Sequence, residues 1–377
     1  MAMDLKKYLI FSIIILIALT ILAGAHFFIY STLVSWWHIK SHSVKTILAV
    51  VLMFLASSFI VSSVLAHYSS WLPVKVYYFL SGIWLALLTY LLITFALIKL
   101  LVYFFKLFNI SFDTKAAVLV AILLSLSYVG YGIWNAYRPR FKNITAKINN
   151  LPSNWEGKKV VQLSDLHLGV ILEKGFLRRI VDLVNTADPA LVVITGDLLD
   201  GMEGNLDFGL EYLNQLKAEQ GVYLVTGNHE TYFGTAKFYG LLQGTQVKIL
   251  NDAMVDLNGL QLIGLSYPER GESKDLVSAI KKQPEFDPGK PSILLYHSPV
   301  QVKEVGRAGI NLQLSGHTHR GQLFPFNLIA KAIYRGFDYG WHRQDDYAIY
   351  TSSGIGVWGP TVRTASHPEI VVIKLVK

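Results

Sequence analysis

Four apolar segments in the first 137 residues constrain this chain more than any other feature. Tyr8 to Tyr30, Thr46 to Ala66 and Val76 to Ile98 contain no Lys, Arg, Asp or Glu, and Ala116 to Trp134 is the fourth such run. Each reaches the roughly 20 residues that carry a helix across about 30 Å of hydrocarbon. Trp36, Trp37, Trp71, Trp134 and Tyr137 stand at segment ends, where amphipathic rings favour the membrane interface. The first segment has a second reading. Lys6-Lys7, an apolar run and Ala23-Gly24-Ala25 resemble a cleavable signal peptide, but the apolar stretch continues through Phe27, Phe28 and Ile29, which favours a retained span. His26, near a span end, is expected at the interface rather than on a transport path.

Orientation follows from Lys and Arg in the short loops. Four spans put both ends on one side, with Lys6, Lys7, Lys75, Arg138, Arg140, Lys142 and Lys147; the other side has Lys40, Lys45, Lys106 and Lys115. The expectation is a multi-pass protein of the cell (inner) membrane with a cytoplasmic C-terminal domain. Charged residues make up 16% of the chain, below the ~25% of ordinary soluble domains. The net charge of +8 fits cations flanking membrane helices near anionic lipid. No basic stripe of the kind nucleic acid requires is present, so no nucleic-acid partner is expected. The chain has no cysteine, which removes disulfides, thiolate metal sites and a cysteine nucleophile and leaves the compartment open.

The pattern changes after residue 137. Arg138 to Gly157 is polar with two prolines and reads as a juxtamembrane connector, which divides the chain into a membrane region 1–137, a linker 138–157 and a domain 158–377. In the domain, strand candidates at Lys159–Ser164, Leu191–Thr195, Val222–Thr226, Leu260–Leu265, Ile293–Tyr296, Leu312–Leu314, Tyr347–Thr351 and Ile370–Leu375 alternate with helix candidates such as Gly175–Thr186 and Phe208–Ala218. Such alternation implies a layered α/β domain with both sheet faces covered.

The ends of these strands carry the chemistry. VVQLSDLHLG ends its strand in Asp165 and His167, LVVITGDLLDG in Asp197, VYLVTGNHE in Asn228-His229-Glu230, ILLYHSP in His297, and LQLSGHTH in His317 and His319. Polar groups just past a strand's C-terminal end lie where ligands bind in open α/β sheets. Gly196, Gly227 and Gly316 suit the tight turns that would present them. Five of the seven histidines after residue 150 fall in these motifs. Asp165, His167, Asp197, Asn228, His297, His317 and His319 supply only oxygen and imidazole donors, too many for one tetrahedral zinc. They suit two divalent ions with a bridging carboxylate. Mixed imidazole and carboxylate shells favour Mn²⁺, Fe or Zn²⁺ over Mg²⁺.

These five blocks, in this order, resemble the signature of the calcineurin-like metallophosphoesterases. GNHE followed by Tyr232, and GHTHRGQ, resemble the membrane-associated bacterial branch, which includes cell-wall-linked phosphoesterases and UDP-2,3-diacylglucosamine hydrolases. The resemblance implies an α/β/β/α sandwich following the multi-pass helical region. It assigns Asp165, His167, Asp197 and His319 to one ion, and Asp197, Asn228, His297 and His317 to the other. His229 is then the catalytic histidine that meets the substrate phosphate or protonates the leaving oxygen, while a hydroxide activated by the ions attacks phosphorus.

Other residues are more open. Arg363, in GPTVRT, and Arg320, beside the histidine pair, are candidates for holding the substrate phosphate, since the guanidinium fork matches it; a salt bridge is the alternative for each. Glu230 and Asp200 are candidate partners for ligand histidines, or turn caps. Leu323 to Trp341 is aromatic, and either lies on a bilayer or folds onto the domain's own core. The function expected is a membrane-anchored, metal-dependent hydrolase of a phosphomonoester, phosphodiester or pyrophosphate, with a lipid-linked substrate and membrane lipids as its partners. The alternatives are a cyclic-nucleotide phosphodiesterase with a membrane sensor, and a membrane transporter or scaffold with a regulatory metal domain.

Overall fold

The computed structural model describes residues 5–204 and 207–377, so the first four residues of the expected membrane region lie outside it. The described chain divides into two compact units, one of residues 5–65 and 72–132, the other of residues 66–71, 133–204 and 207–377.

The first unit is built on α1 (Leu5–Trp36), α2 (His42–Tyr68), α3 (Leu72–Lys106) and α4 (Thr114–Ala136). Four helices here are long and apolar enough to cross a membrane, the first as Ser12–Trp36. Its side chains are sorted as lipid would sort them. Leu16, Ile21, Met53 and Leu100 point outward and exposed. Polar side chains pair inside, as Ser62 with Ser81 at 2.6 Å and Thr94 with Ser125 at 3.0 Å. His26 is buried within the bundle, and its Nε2 accepts the Trp84 indole N–H at 3.1 Å. A polar ring within an apolar bundle is held by a partner on another helix.

The second unit is a four-layer α/β/β/α sandwich. One sheet has the order β1 (Arg140–Lys147), β12 (Glu369–Val376), β2 (Lys159–Leu163), β3 (Leu191–Thr195), β4 (Val222–Val225), β5 (Val247–Ile249), and the other β10 (Gly340–Gln344), β11 (Tyr347–Thr351), β9 (Leu312–Ser315), β8 (Ser292–Leu295), β7 (Leu260–Gly264), β6 (Ala253–Leu257). The strands that matter for the site are β2, β3, β4, β8 and β9. The runs β2-β3-β4 and β8-β9 are parallel, so their C-terminal ends share an edge within each sheet. Buried on both faces, these strands read as continuous apolar runs. The two-residue side-chain period then splits each run. Leu191 and Val193 of β3 enter the cluster between the sheets, while Val192 and Ile194 enter the outer cluster with α5 (Lys174–Thr186). α5 supplies Leu177, Ile180, Val181 and Val184 to that outer cluster, spaced as one helix face.

The expected linker is the largest difference from the sequence reading. Residues 140–147 form β1 (Arg140–Lys147), paired in parallel with β12 (Glu369–Val376) along eight residues. Its polarity is that of an edge strand, where exposed lysines discourage further pairing; Ala146 is its one buried side chain. The helix expected over Phe208–Ala218 is reduced to a 3-10 stretch at Leu210–Gln215.

Candidate metal centre

Asp165 and His167 leave β2, Asp197 leaves β3, Asn228 begins α6 (Asn228–Phe233) after β4, His297 follows β8, and His317 and His319 follow β9. The loops are knitted together by backbone bonds. Asp165 N–H donates to the Gly196 carbonyl at 3.1 Å, His167 N–H to the Asp197 carbonyl at 3.1 Å, and Gly316 N–H to the His297 carbonyl at 2.8 Å. His317 N–H donates to Asp165 Oδ1 at 2.9 Å. Two glycines make room for this approach. A Cβ on Gly316 would collide with Ser164 and Asp165, and one on Gly196, at φ 91°, would come within 2.6 Å of His297 Nδ1.

The backbone itself is unusual here. Asp165, His167, Asp197, His317 and His319 all have φ between 48° and 75°. Left-handed conformations cost non-glycine residues energy and persist where the surroundings impose them, which happens most at functional sites. No pattern in the sequence marks them.

The side chains form overlapping groups. Donor atoms of Asp165, His167 and His319 lie within 4.8 Å of one another, as do those of Asp197, His297 and His317, and those of His167, Asp197 and His229. Around His297 the arrangement is well determined. Its Nδ1–H donates to the Thr195 carbonyl at 2.7 Å. That leaves Nε2 facing Asp197 Oδ2 at 3.1 Å, Asn228 Oδ1 at 3.2 Å and His317 Nδ1 at 3.2 Å. Three acceptors converge on a nitrogen that can offer one proton. Burial alone would lower the His297 pKa, but the Asp197 carboxylate overrides it and raises it to about 9. Burial likewise opposes ionisation of Asp197, yet His297 holds its carboxyl well below the usual range. Burial, helped by His297, pushes His317 down to about 3, so that ring stays neutral. A divalent cation fits this donor set better than a proton does, because it can be shared by all four atoms.

Asp197 Oδ2 also lies 3.8 Å from His167 Nε2, so this carboxylate touches both groups. In the other group His167 Nε2 is 2.9 Å from His319 Nε2, and Asp165 Oδ1 is 3.6 Å from His319 Nε2. Burial raises the Asp165 pKa to about 6. His167 Nδ1 is buried without a hydrogen-bond partner among the described residues.

His229 stands beside this constellation. Its backbone N–H donates to Asp197 Oδ1 at 2.9 Å and its Nδ1–H to the Asp200 carbonyl at 2.7 Å, leaving Nε2 as the free ring nitrogen. A cavity of about 430 Å³ is lined by His229, Asp197, Asn228, His317 and His319 and rimmed by Tyr232 and Trp358.

Two further expectations, for Arg363 and Arg320, meet a different geometry, and for Glu230 and Asp200 the turn-cap alternative is the one found. Arg363 does not open to substrate. It is fully buried, and its guanidinium donates to the Gly354 and Ser353 carbonyls and to His319 Nδ1 at 3.1 Å. Arg320 stacks over the Tyr339 ring at 4.6 Å. Glu230 bonds no histidine; its carboxylate accepts the backbone N–H groups of Asp197, Leu199 and Gly227 at 2.9, 3.1 and 2.7 Å. Asp200 reaches His229 through its carbonyl, while its carboxylate accepts Met202 N–H at 2.7 Å. Thr195 and Trp358 are contributions that the sequence did not single out, and Tyr232 entered it only beside the GNHE motif, with no role at the site. The three carry neither metal-ligand chemistry nor regular spacing, so no sequence signal marks their roles.

Residues 158–321 match the family of calcineurin-like phosphoesterases. The chain is 34% identical over 261 residues to an uncharacterized metallophosphoesterase of Helicobacter pylori, covering 66% of this chain and 68% of the relative. It is 35% identical over 260 residues to an uncharacterized metallophosphoesterase of Campylobacter jejuni, covering 67% and 68%. A transmembrane protein with metallophosphoesterase domain from Danio rerio is 32% identical over 276 residues, covering 68% and 62%.

Proposed function

The chain belongs to the calcineurin-like metallophosphoesterases and is a metal-dependent phosphoester hydrolase; on that premise we propose that it is a membrane-anchored, dinuclear phosphohydrolase acting on a lipid-linked phosphoester. Asp197, Asn228, His297 and His317 would hold one ion and Asp165, His167, Asp197 and His319 the other, with Asp197 common to both sets. The observation that carries this reading is the convergence of Asp197 Oδ2, Asn228 Oδ1 and His317 Nδ1 on His297 Nε2, with the same Asp197 oxygen facing His167.

When bound, divalent cations supply Lewis acidity to phosphate oxygens and lower the pKa of coordinated water. The chain's own residues do the rest. Thr195 fixes the His297 tautomer, so that its Nε2 is the donor atom. Glu230 ties the Asp197 turn to the Gly227 turn through three backbone bonds, so both loops hold their positions together. The Asp200 carbonyl keeps the Nδ1 proton of His229 in place. The exchanging proton therefore resides on Nε2, where His229 gives it to the leaving oxygen. General-acid help of this kind is worth about 10²–10⁴-fold.

Four membrane-length helices, and the name of the Danio rerio relative, support a substrate at the membrane; the excess of Lys and Arg on the side shared by both ends is what favours a cytoplasmic domain at the cell (inner) membrane. The test is a substrate panel with the full chain in detergent, metal-loaded and chelated. It sets lipid phosphomonoesters and phosphodiesters beside cyclic nucleotides and bis-p-nitrophenyl phosphate. Metal-dependent turnover that favours lipid phosphoesters is expected. Preference for cyclic nucleotides would transfer the site to the signalling alternative.

A further inference from the structure

Directly after the His319 turn the chain forms α10 (Phe326–Ile333), sequence FNLIAKAI. A helix this apolar belongs in a core, yet Ala330 is its one buried residue. Phe326, Leu328, Ile329 and Ile333 are 43%, 57%, 54% and 66% exposed, and Phe324 just before them 42%. Over residues 324–333 the chain is therefore not folded onto the domain's own core, whereas Leu323 is buried and Phe337 and Trp341 of the same segment pack against core clusters. α5, by contrast, buries its apolar face in the outer cluster. Large apolar side chains exposed together along one short segment mark an interaction site.

The patch is fixed to the metal centre at both ends. Gln322 bonds the backbone of Trp358 at 3.0 Å, and the Trp358 ring, itself exposed, lies 6.3 Å from that of His229. At the far end Tyr334 sets its ring 6.0 Å from that of His317. The helix thus borders the mouth of the cavity. From Arg320 to Phe337 the chain carries Arg320, Lys331 and Arg335 and no acidic residue. Apolar side chains interleaved with cations alone suit an anionic lipid surface, where the rings enter the headgroup boundary and the cations meet phosphates. The same chain supplies the bilayer: α4 ends at Ala136 and β1 begins at Arg140, so three residues, about 10 Å of extended chain, separate them.

We propose that α10, with Phe324 and Trp358, docks into the interfacial region of an anionic bilayer and that the site draws its phosphoester from that surface. The docking stands on exposure and charge alone; only its consequence for substrate rests on the function proposed above. Because the chain has no cysteine, one introduced thiol carries a label uniquely. Full-length I329C and L328C would be labelled with an environment-sensitive nitrobenzoxadiazole dye and placed in nanodiscs of phosphatidylcholine with phosphatidylglycerol. Exposed Glu285, as E285C, provides the reference. The expected result is blue-shifted emission at both helix positions and its loss on adding nitroxide-labelled lipid, with neither at E285C. Emission matching E285C overturns the proposal. A blue shift without nitroxide quenching also overturns it, because a protein surface or a second copy of the chain then covers the helix. No hydrolysis is read, so failure here leaves the metal-centre reading standing, and failure of that reading, seen as no metal-dependent turnover of bis-p-nitrophenyl phosphate, leaves the docking result unaffected.

Discussion

The two halves of the candidate centre use the same residue types and are prepared differently. At His297 the chain settles every ring atom: Nδ1–H is held by Thr195, and Nε2 faces three acceptors. At His319 the Nδ1 position faces the Arg363 guanidinium, which can only donate, and the neighbouring His167 Nδ1 has no partner among the described residues. A donor at Nδ1 favours the tautomer that keeps the ring proton on Nε2, the atom that would bind a cation. A cation entering the His297 half replaces one proton in a finished ligand set. In the His319 half it must also rearrange a tautomer beside a buried positive charge. Shared ligands therefore do not make equal sites, and the outer partners of the histidines decide the difference.

The largest effect tests the link between the halves. Asp197→Ala should remove both ions and lower turnover of bis-p-nitrophenyl phosphate by more than the roughly 10–100-fold typical of losing an outer partner. Elemental analysis of the purified variant checks this, and full retention of one ion would break the shared-carboxylate reading. His229→Ala comes next. It should keep its metals and lose about 10²–10⁴-fold in kcat on an ester with a poor leaving group, and much less with p-nitrophenolate, which needs no proton. Equal losses on both substrates would remove the general-acid role.

Two smaller effects sharpen the contrast. In a metal titration followed by calorimetry the two ions should bind with different affinities. His297→Ala should lose the tighter step and His319→Ala the weaker one; the reverse assignment contradicts the comparison. The pH dependence has a definite sign. His297, raised to about 9 by Asp197 against the effect of burial, carries a proton at neutral pH that the cation must displace. Uptake at pH 7 should therefore release close to one proton per chain, measurable in buffers of different ionisation enthalpy. Affinity should fall as pH falls, more steeply below about 6, where Asp165 also gains a proton. The smallest change is Glu230→Gln, which places an amide against one of three backbone N–H donors. A stability loss of about 1–3 kcal/mol is expected in denaturant unfolding.

Much of this is legible in the amino-acid sequence alone. Eight strands were readable as β-rich apolar runs, because strands buried on both faces show hydrophobicity without ambiguity. The seven candidate ligands were readable because metal-competent side chains recur just past those runs. Other features are invisible to such reading for physical reasons. β1 hides because an edge strand is polar like a linker, and its pairing with β12 joins residues more than 200 positions apart. The left-handed turns at Asp165, His167 and Asp197 leave no compositional mark, since the surrounding loops impose them. Arg363 has the chemistry of a phosphate clamp, and only its burial shows that backbone carbonyls already occupy it. Glu230 sits in a metal motif where sequence leaves a histidine partner and a turn cap both open, and only the structure shows that it accepts three backbone N–H groups.

The central claim is that two cations share Asp197, and electron paramagnetic resonance of the full chain loaded with Mn²⁺ addresses it most directly. The account predicts an exchange-coupled pair at full loading, a single-ion spectrum at half loading, and loss of the coupled signal in Asp197→Ala. Saturation at one ion per chain, or two magnetically isolated ions, would contradict it.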